Sequence, residues 1–149
     1  MIEVETLLRR PDGSFVQVER VRRRPPDGRY IKGAINLSIN GKKIISEREW
    51  DYIDQLWSYI SNLVGSLAVM KQVSTYFPDQ PVFLEFRRSG REMLIVSCKS
   101  GAETRQANVG EREFLNALRT AGDIFFRKMS ALLPENSEGY EIARLSLMS

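Results

Sequence analysis

The stretch "YIKGAINLSINGKKIISEREWDYIDQLW", residues 30–57, decides the fold, because it places a strand, a turn, a second strand and a helix start in one line. Ile31, Ile35, Leu37 and Ile39 point one way while Lys32, Asn36 and Ser38 point the other, which is the period of a half-buried strand. Asn40-Gly41 follows as the strongest short hairpin signal, since a type I′ turn needs positive φ at both central residues. With that turn Leu37 is expected opposite Ile44, so that both face the core. Ser46 and Glu49 then read as a capping box opening a helix, with Glu47 and Asp51 near the positive end of its dipole. Trp50, Ile53, Trp57, Ile60, Val64 and Leu67 recur at spacings of three and four, so the helix carries one apolar stripe and must cover a sheet. Gly65 in that run suggests close backbone packing.

Toward the N-terminus, "PDGS" at 11–14 and "PPDGR" at 25–29 are turn sequences that divide extended segments. Ile2, Val4 and Leu8 alternate before the first turn and Val16 and Val18 after it, which reads as a meander. Toward the C-terminus, "TYFPDQPVFLEF" at 75–86 holds two prolines around Asp79-Gln80. Pro78 stops the preceding helix, Phe77 and Gln80 are pushed to extended geometry by the prolines that follow them, and Tyr76 and Phe77 close the end of the core. Val82, Leu84 and Phe86 share a face, as do Leu94, Val96 and Cys98, giving a second antiparallel hairpin, with "ETRQANV" a weaker extended piece after it. Phe114, Leu118, Ala121, Phe125, Met129 and Leu132 stripe a second long helix that Pro134 ends. The tail 135–149 either carries a short segment through Ile142, Leu145 and Leu147 or is loose. This order predicts a single α+β domain over residues 1–149, an antiparallel sheet of about five to seven strands with two long helices packed on one face.

Composition narrows the chemistry. The 149 residues are 42% hydrophobic and 28% charged, as in a soluble globular domain. No apolar run approaches the roughly 18 residues of a membrane span, and "MIEVETLLRR" carries acids where a secretory leader is basic, so a cytoplasmic location is expected. The single Cys98 agrees with a reducing compartment, and its place on an apolar strand face reads as an inert core thiol. The chain has no histidine, which excludes Ser-His-Asp and Cys-His catalysis and His-ligated zinc. P-loop, GxGxxG and GxSxG motifs are missing as well, so the sequence predicts no cofactor, no metal and no enzyme.

Three groups of residues are candidates for contact with a partner. Tyr76, Asp79 and Gln80 form either a recognition loop or plain punctuation between scaffold elements. Arg20, Arg22 and Arg24 alternate along the second strand, while Arg87, Arg88 and Arg91 cluster at the later hairpin turn. Together they are either solvated edges that blunt aggregation or a basic surface suited to phosphates. No aromatic interleaves "RVRRR" at 20–24, as single-strand binders usually require. Glu47, Asp51 and Asp54 lie at helical spacing on the polar side of the first helix, where they serve as first-turn acids, as a docking strip for a basic partner, or as a cation or acid/base site.

The block "GAINLSINGKKIISEREWDYIDQLWSYI" followed by "YFPDQPVFLEF", within residues 33–86, resembles a group of small uncharacterised bacterial proteins. The residues that carry the resemblance are Trp50, Asp51, Leu56, Trp57 and Tyr59, then Tyr76 to Pro81. Proteins of this size and make-up look like immunity proteins of bacterial toxin systems. The resemblance implies a cytosolic, non-catalytic module that binds and blocks a cognate toxin. Immunity proteins against nucleases are commonly acidic, whereas this chain has a net charge of +3, so the toxin need not be a nuclease. The alternative is a nucleic-acid-associated protein using the arginine faces. A sheet edge such as the first hairpin also offers pairing across a two-fold in a homodimer.

Overall fold

The alternation at residues 32–39 buries Ile35, Leu37 and Ile39 in β3 (Lys32–Ile39), the centre of the first sheet. A computed structural model describes residues 1–149. In it β1 (Ile2–Arg9) runs antiparallel along one side of β3. On the other side lie β4 (Lys42–Ile45) and the two-residue β5 (Asp51–Tyr52). The short β2 (Phe15–Gln17) lies outside β1, so the order is β2-β1-β3-β4 and the expected meander is not formed. Asn40 and Gly41 take φ of 51° and 82°, as the hairpin turn requires. Leu37 faces Ile45 instead of Ile44, because a bulge falls between Leu37 and Ser38. The extra residue lets both Ile44 and Ile45 reach the core.

The later strands form a separate antiparallel sheet. β6 (Gln72–Tyr76), β7 (Val82–Arg88), β8 (Met93–Ser100) and β9 (Glu103–Gly110) follow one another in sequence order. The α+β class therefore holds, but as two sheets of five and four strands with three helices, not one sheet of five to seven with two. The third helix, α3 (Ser137–Met148), is the tail that the sequence left open. Its stripe is Tyr140, Ala143 and Leu147, whereas Ile142 and Leu145 are exposed.

The first helix starts and stops later and earlier than its pattern suggests. The capping box at Ser46 does form, with the Ser46 amide donating to Glu49 Oε1 at 3.0 Å and Arg48 N donating to Ser46 Oγ at 3.3 Å. It caps only the 3-10 turn Glu47–Glu49, and α1 runs from Ile53 to Leu67. Trp50 accordingly leaves the apolar stripe and sits half-buried beneath Arg9. Pro78 does not end this helix, because residues 72–76, including β-branched Val73 and Thr75, pair with β7 as a strand. Likewise Arg20, Arg22 and Arg24 do not line a strand face. β2 stops at Gln17, the 3-10 turn Val18–Arg20 buries Val18, and residues 21–31 form an irregular loop containing Pro25-Pro26.

α2 (Glu111–Leu132) ties the sheets together along its length. Near its start Phe114 meets Phe86 of the second sheet edge-on at 5.0 Å. Further along, Phe125 stacks on Trp57 of α1 at 6.1 Å, and the Trp57 indole N–H donates to Thr6 Oγ1 of β1 at 3.2 Å. One apolar cluster of 34 buried residues draws on both sheets and all three helices. Gly122 marks the tightest helix crossing: a Cβ there would collide with Leu147 and stand 3.0 Å from the Trp57 ring. Gly65 leaves room for one, 3.6 Å from Ser146 O. No helix is long and apolar enough to cross a membrane.

A polar bridge joins the sheets where β4 and β9 approach. Arg105 of β9 reaches Glu49 with both terminal nitrogens, at 2.9 and 3.2 Å, and its Nε donates to Glu103 at 3.0 Å. Glu49 is 2% exposed and Arg105 11% by side chain, so solvent does little to screen the pair. The hydrogen bonds to Glu49 first, and then to Glu103, hold the guanidinium charged. Glu49→Gln is expected to cost about 1–3 kcal/mol, since it removes the buried carboxylate that both terminal nitrogens share and leaves Arg105 only the exposed Glu103 as a counter-charge. The Glu49→Met/Arg105→Met pair should recover part of that loss, and urea unfolding of the two variants beside the parent measures both.

Candidate functional site

Two cation-rich segments converge beside the edge of the first sheet. β1 ends in Arg9-Arg10-Pro11, and the turn after β2 runs into Arg20-Val21-Arg22-Arg23-Arg24. Because β3 pairs with β1 from Gly33, opposite Leu8, the loop that joins β2 to β3 must return to the end of β1, and this brings the two segments together. Between them opens a cleft of about 570 Å³. Its apolar lining comes from Leu8, Val16, Val21 and Ile31. Around it stand Arg9, Arg10, Arg20, Arg22, Arg23, Arg24 and Lys32, against a single carboxylate, Asp27.

Only Arg24 of these cations is in an ion pair, to Glu135, and that pair is largely exposed. Arg9 lies over the Trp50 ring at 4.4 Å and Lys32 at 5.9 Å, a cation–π arrangement that holds both on the rim without neutralising them. Tyr30, 55% exposed, stands beside Tyr52 with ring centroids 5.5 Å apart. The second half of the loop is tethered at two points. Asn136 Nδ2 donates to Gly28 O at 2.9 Å, and Ile53 N donates to Ile31 O at 2.8 Å. A concave, pre-organised, positively charged surface with an apolar lining suits an anionic ligand that also presents apolar groups.

The other expected residues are placed elsewhere. Arg87 is exposed on β7 and Arg88 is engaged in the scaffold, so neither joins Arg22 and Arg24 in one basic surface. Arg88 donates to Glu111 at 2.9 and 3.2 Å and to the carbonyls of Leu67 and Met70 at 2.8 and 2.6 Å, closing the C-terminal end of α1. Glu47, Asp51 and Asp54 do not share one polar helix face, because the helix begins only at Ile53 and each acid belongs to a different element.

Asp51 instead explains the "YFPDQP" loop. Its buried carboxylate accepts from the amides of Asp79 at 3.1 Å and Gln80 at 2.9 Å, and from its neighbour Tyr52 at 2.7 Å. The Gln80 side chain donates to Trp50 O, and Phe77 is buried. Asp79 keeps an exposed side chain, and Tyr76 is 63% exposed with its ring 4.9 Å from Phe83. Asp54 is half-buried and accepts from the Tyr140 hydroxyl at 3.0 Å. Burial raises its carboxyl above the ordinary aspartate range, against the opposing pull of the Tyr140 hydrogen bond. The Cys98 thiol is pushed up to about 12, chiefly by burial and then by the nearby Glu49 charge.

Reading the sequence by strand periodicity missed Arg9, Arg10, Lys32, Tyr30 and Trp50 as neighbours of the arginine run. The signal that could have found them is the pairing of β1 with β3, which requires the arginine-rich segment before β3 to return to the end of β1 where Arg9-Arg10 stands. No protein-family model, no curated protein and no solved structure matches the chain.

Two outcomes follow for the acids. Asp51→Asn turns one acceptor into a donor facing backbone N–H groups, and is expected to cost about 1–3 kcal/mol and to speed amide exchange at Asp79 and Gln80. Asp54 behaves oppositely. Because its folded carboxyl titrates above the unfolded value of 3.8, its contribution is fully present below that pH and is lost as pH rises through the folded value. Asp54→Asn should therefore match the parent in acid and become relatively more stable toward neutral pH, as read from urea midpoints across the range.

Proposed function

We propose that the chain is a non-catalytic binding module that holds an acidic region of another protein in the arginine cleft, and that this partner is a cognate bacterial toxin whose working surface it covers. The observation that carries the reading is the cleft itself: six cations without an ion pair surround an apolar lining on a tethered loop. The carboxylates of Glu49, Asp51 and Asp54 support it too, since each is engaged by the scaffold. Such a surface steers an acidic partner over long range and then seats an apolar anchor, which favours fast association and occlusion.

The test uses the full chain together with any toxin-like product encoded beside its gene. Growth protection and a salt-sensitive complex are expected from the parent. An Arg20→Glu/Arg22→Glu/Arg23→Glu variant should associate about tenfold or more slowly at low salt while melting like the parent. Protection that survives this triple reversal unchanged, or failure of the parent to bind or protect, removes the reading.

A second reading rests on Tyr30. Exposed beside the cleft, it supplies the stacking aromatic that the arginine run lacks, as a single-stranded nucleic acid would need. Anisotropy of labelled single-stranded DNA and RNA oligonucleotides across a salt series separates the two. A steep salt slope that falls in Tyr30→Ala favours nucleic acid, and no binding at low salt ends that alternative.

A further inference from the structure

The sheet edges of this molecule are not equally protected. On the first sheet β2 is three residues long and is followed by the arginine-rich loop. The edge at β4 faces β9, where Arg105 donates to Ile44 O at 3.4 Å and pairs with Glu49. The outer edge of the second sheet is β6, Gln72-Val73-Ser74-Thr75-Tyr76. It contains no charge, no proline and no bulge, the devices that ordinarily keep an edge from pairing.

The β6–β7 register fixes which backbone groups face outward. Arg88 N donates to Lys71 O and Phe77 N to Val82 O, both at 2.9 Å. With Val73 opposite Phe86 and Thr75 opposite Leu84, the hydrogen-bonded pairs fall on odd residues of β6. The N–H and C=O groups of Gln72, Ser74 and Tyr76 therefore point away from the sheet, and all three residues are exposed. Tyr76 O already accepts from Thr75 Oγ1 at 2.9 Å, which leaves its second lone pair.

We infer that β6 pairs with β6 of a second copy of this chain across a two-fold axis, joining two four-stranded sheets into one continuous sheet. The outward set is self-complementary. Centred on Ser74, an antiparallel pairing sets Ser74 against Ser74 of the partner subunit and Gln72 against Tyr76 of the partner subunit. It completes about six backbone hydrogen bonds and brings no like charges opposite one another. The Gln72 side chain of one copy then lies against the exposed Tyr76 ring of the other, which already rests on Phe83. The arginine cleft belongs to the other sheet and is not part of this edge. The dimer would thus present two clefts, and this inference stands or falls independently of what they bind.

Sedimentation velocity of the full chain from micromolar to millimolar concentration tests it, with a concentration-dependent monomer–dimer equilibrium expected. Ser74→Pro removes the central outward N–H without touching a β6–β7 hydrogen bond, and Ser74→Lys sets two lysines opposite each other. Each should raise the dimer dissociation constant about tenfold or more while the far-UV spectrum stays unchanged. Should Ser74→Pro unfold the chain, Ser74→Lys decides alone. A parent that remains monomeric throughout, or a dimer that survives these substitutions, overturns the inference.

Discussion

A buried carboxylate must be met by donors, and in this protein the two carboxylates of one turn draw their donors from the far sheet. Glu49 and Asp51, each 2% exposed, lie between β4 and α1 in the first half of the chain. Glu49 is satisfied by Arg105 of β9, and Asp51 by the amides of Asp79 and Gln80 in the β6–β7 loop. The turn is thereby fastened to both ends of the second sheet. An uncompensated carboxylate in the interior costs several kcal/mol, so the two sheets are held in one relative placement by requirement as well as by apolar contact. The aromatic contacts of α2 supply area, while the acids supply position.

That arrangement also explains why α1 begins where it does. A helix starting at Ser46 would carry Glu49 and Asp51 round its own axis and away from their partners. The chain instead makes one 3-10 turn, spends two residues pairing with β3, and starts α1 at Ile53. Trp50 is released from the helical stripe and becomes the platform for Arg9 and Lys32 at the mouth of the cleft. The geometry that joins the sheets thus also sets part of the cleft.

The parts of this structure that were readable in the sequence are those governed by neighbours along the chain. Asn40-Gly41 makes its turn, Leu84 lies opposite Cys98 and Phe86 opposite Val96 in a hairpin, and Phe114 through Met129 bury one helix stripe. Division into two sheets was hidden because strand pairing beyond a hairpin depends on contacts that no local period encodes. Glu49 and Arg105 lie 56 residues apart, and nothing in "SEREWD" names the arginine that claims Glu49. The same holds for the site. Arg22 and Arg24 were visible as charge, but a strand alternation was read into a segment that Pro25-Pro26 and the burial of Val18 turn into a loop. Asp79 and Gln80 stood out for the prolines around them, and their backbone amides serve the scaffold.

Net charge understates what the surface presents. A balance of +3 from 22 basic and 19 acidic residues suggests a nearly neutral molecule. Five of the acids, however, are held by arginines away from the cleft: Glu111 by Arg88, Glu49 and Glu103 by Arg105, Asp123 by Arg127 and Arg144, and Glu141 by Arg144. Six cations without an ion pair stand together around one concavity, where the apolar lining lowers the local dielectric and a tethered loop fixes the spacing. Within a Debye length of about 8 Å at physiological salt, the potential outside the cleft follows that local arrangement and not the sum over the chain. The distribution of ion pairs therefore shapes the potential at the cleft as much as the arginines left outside it do.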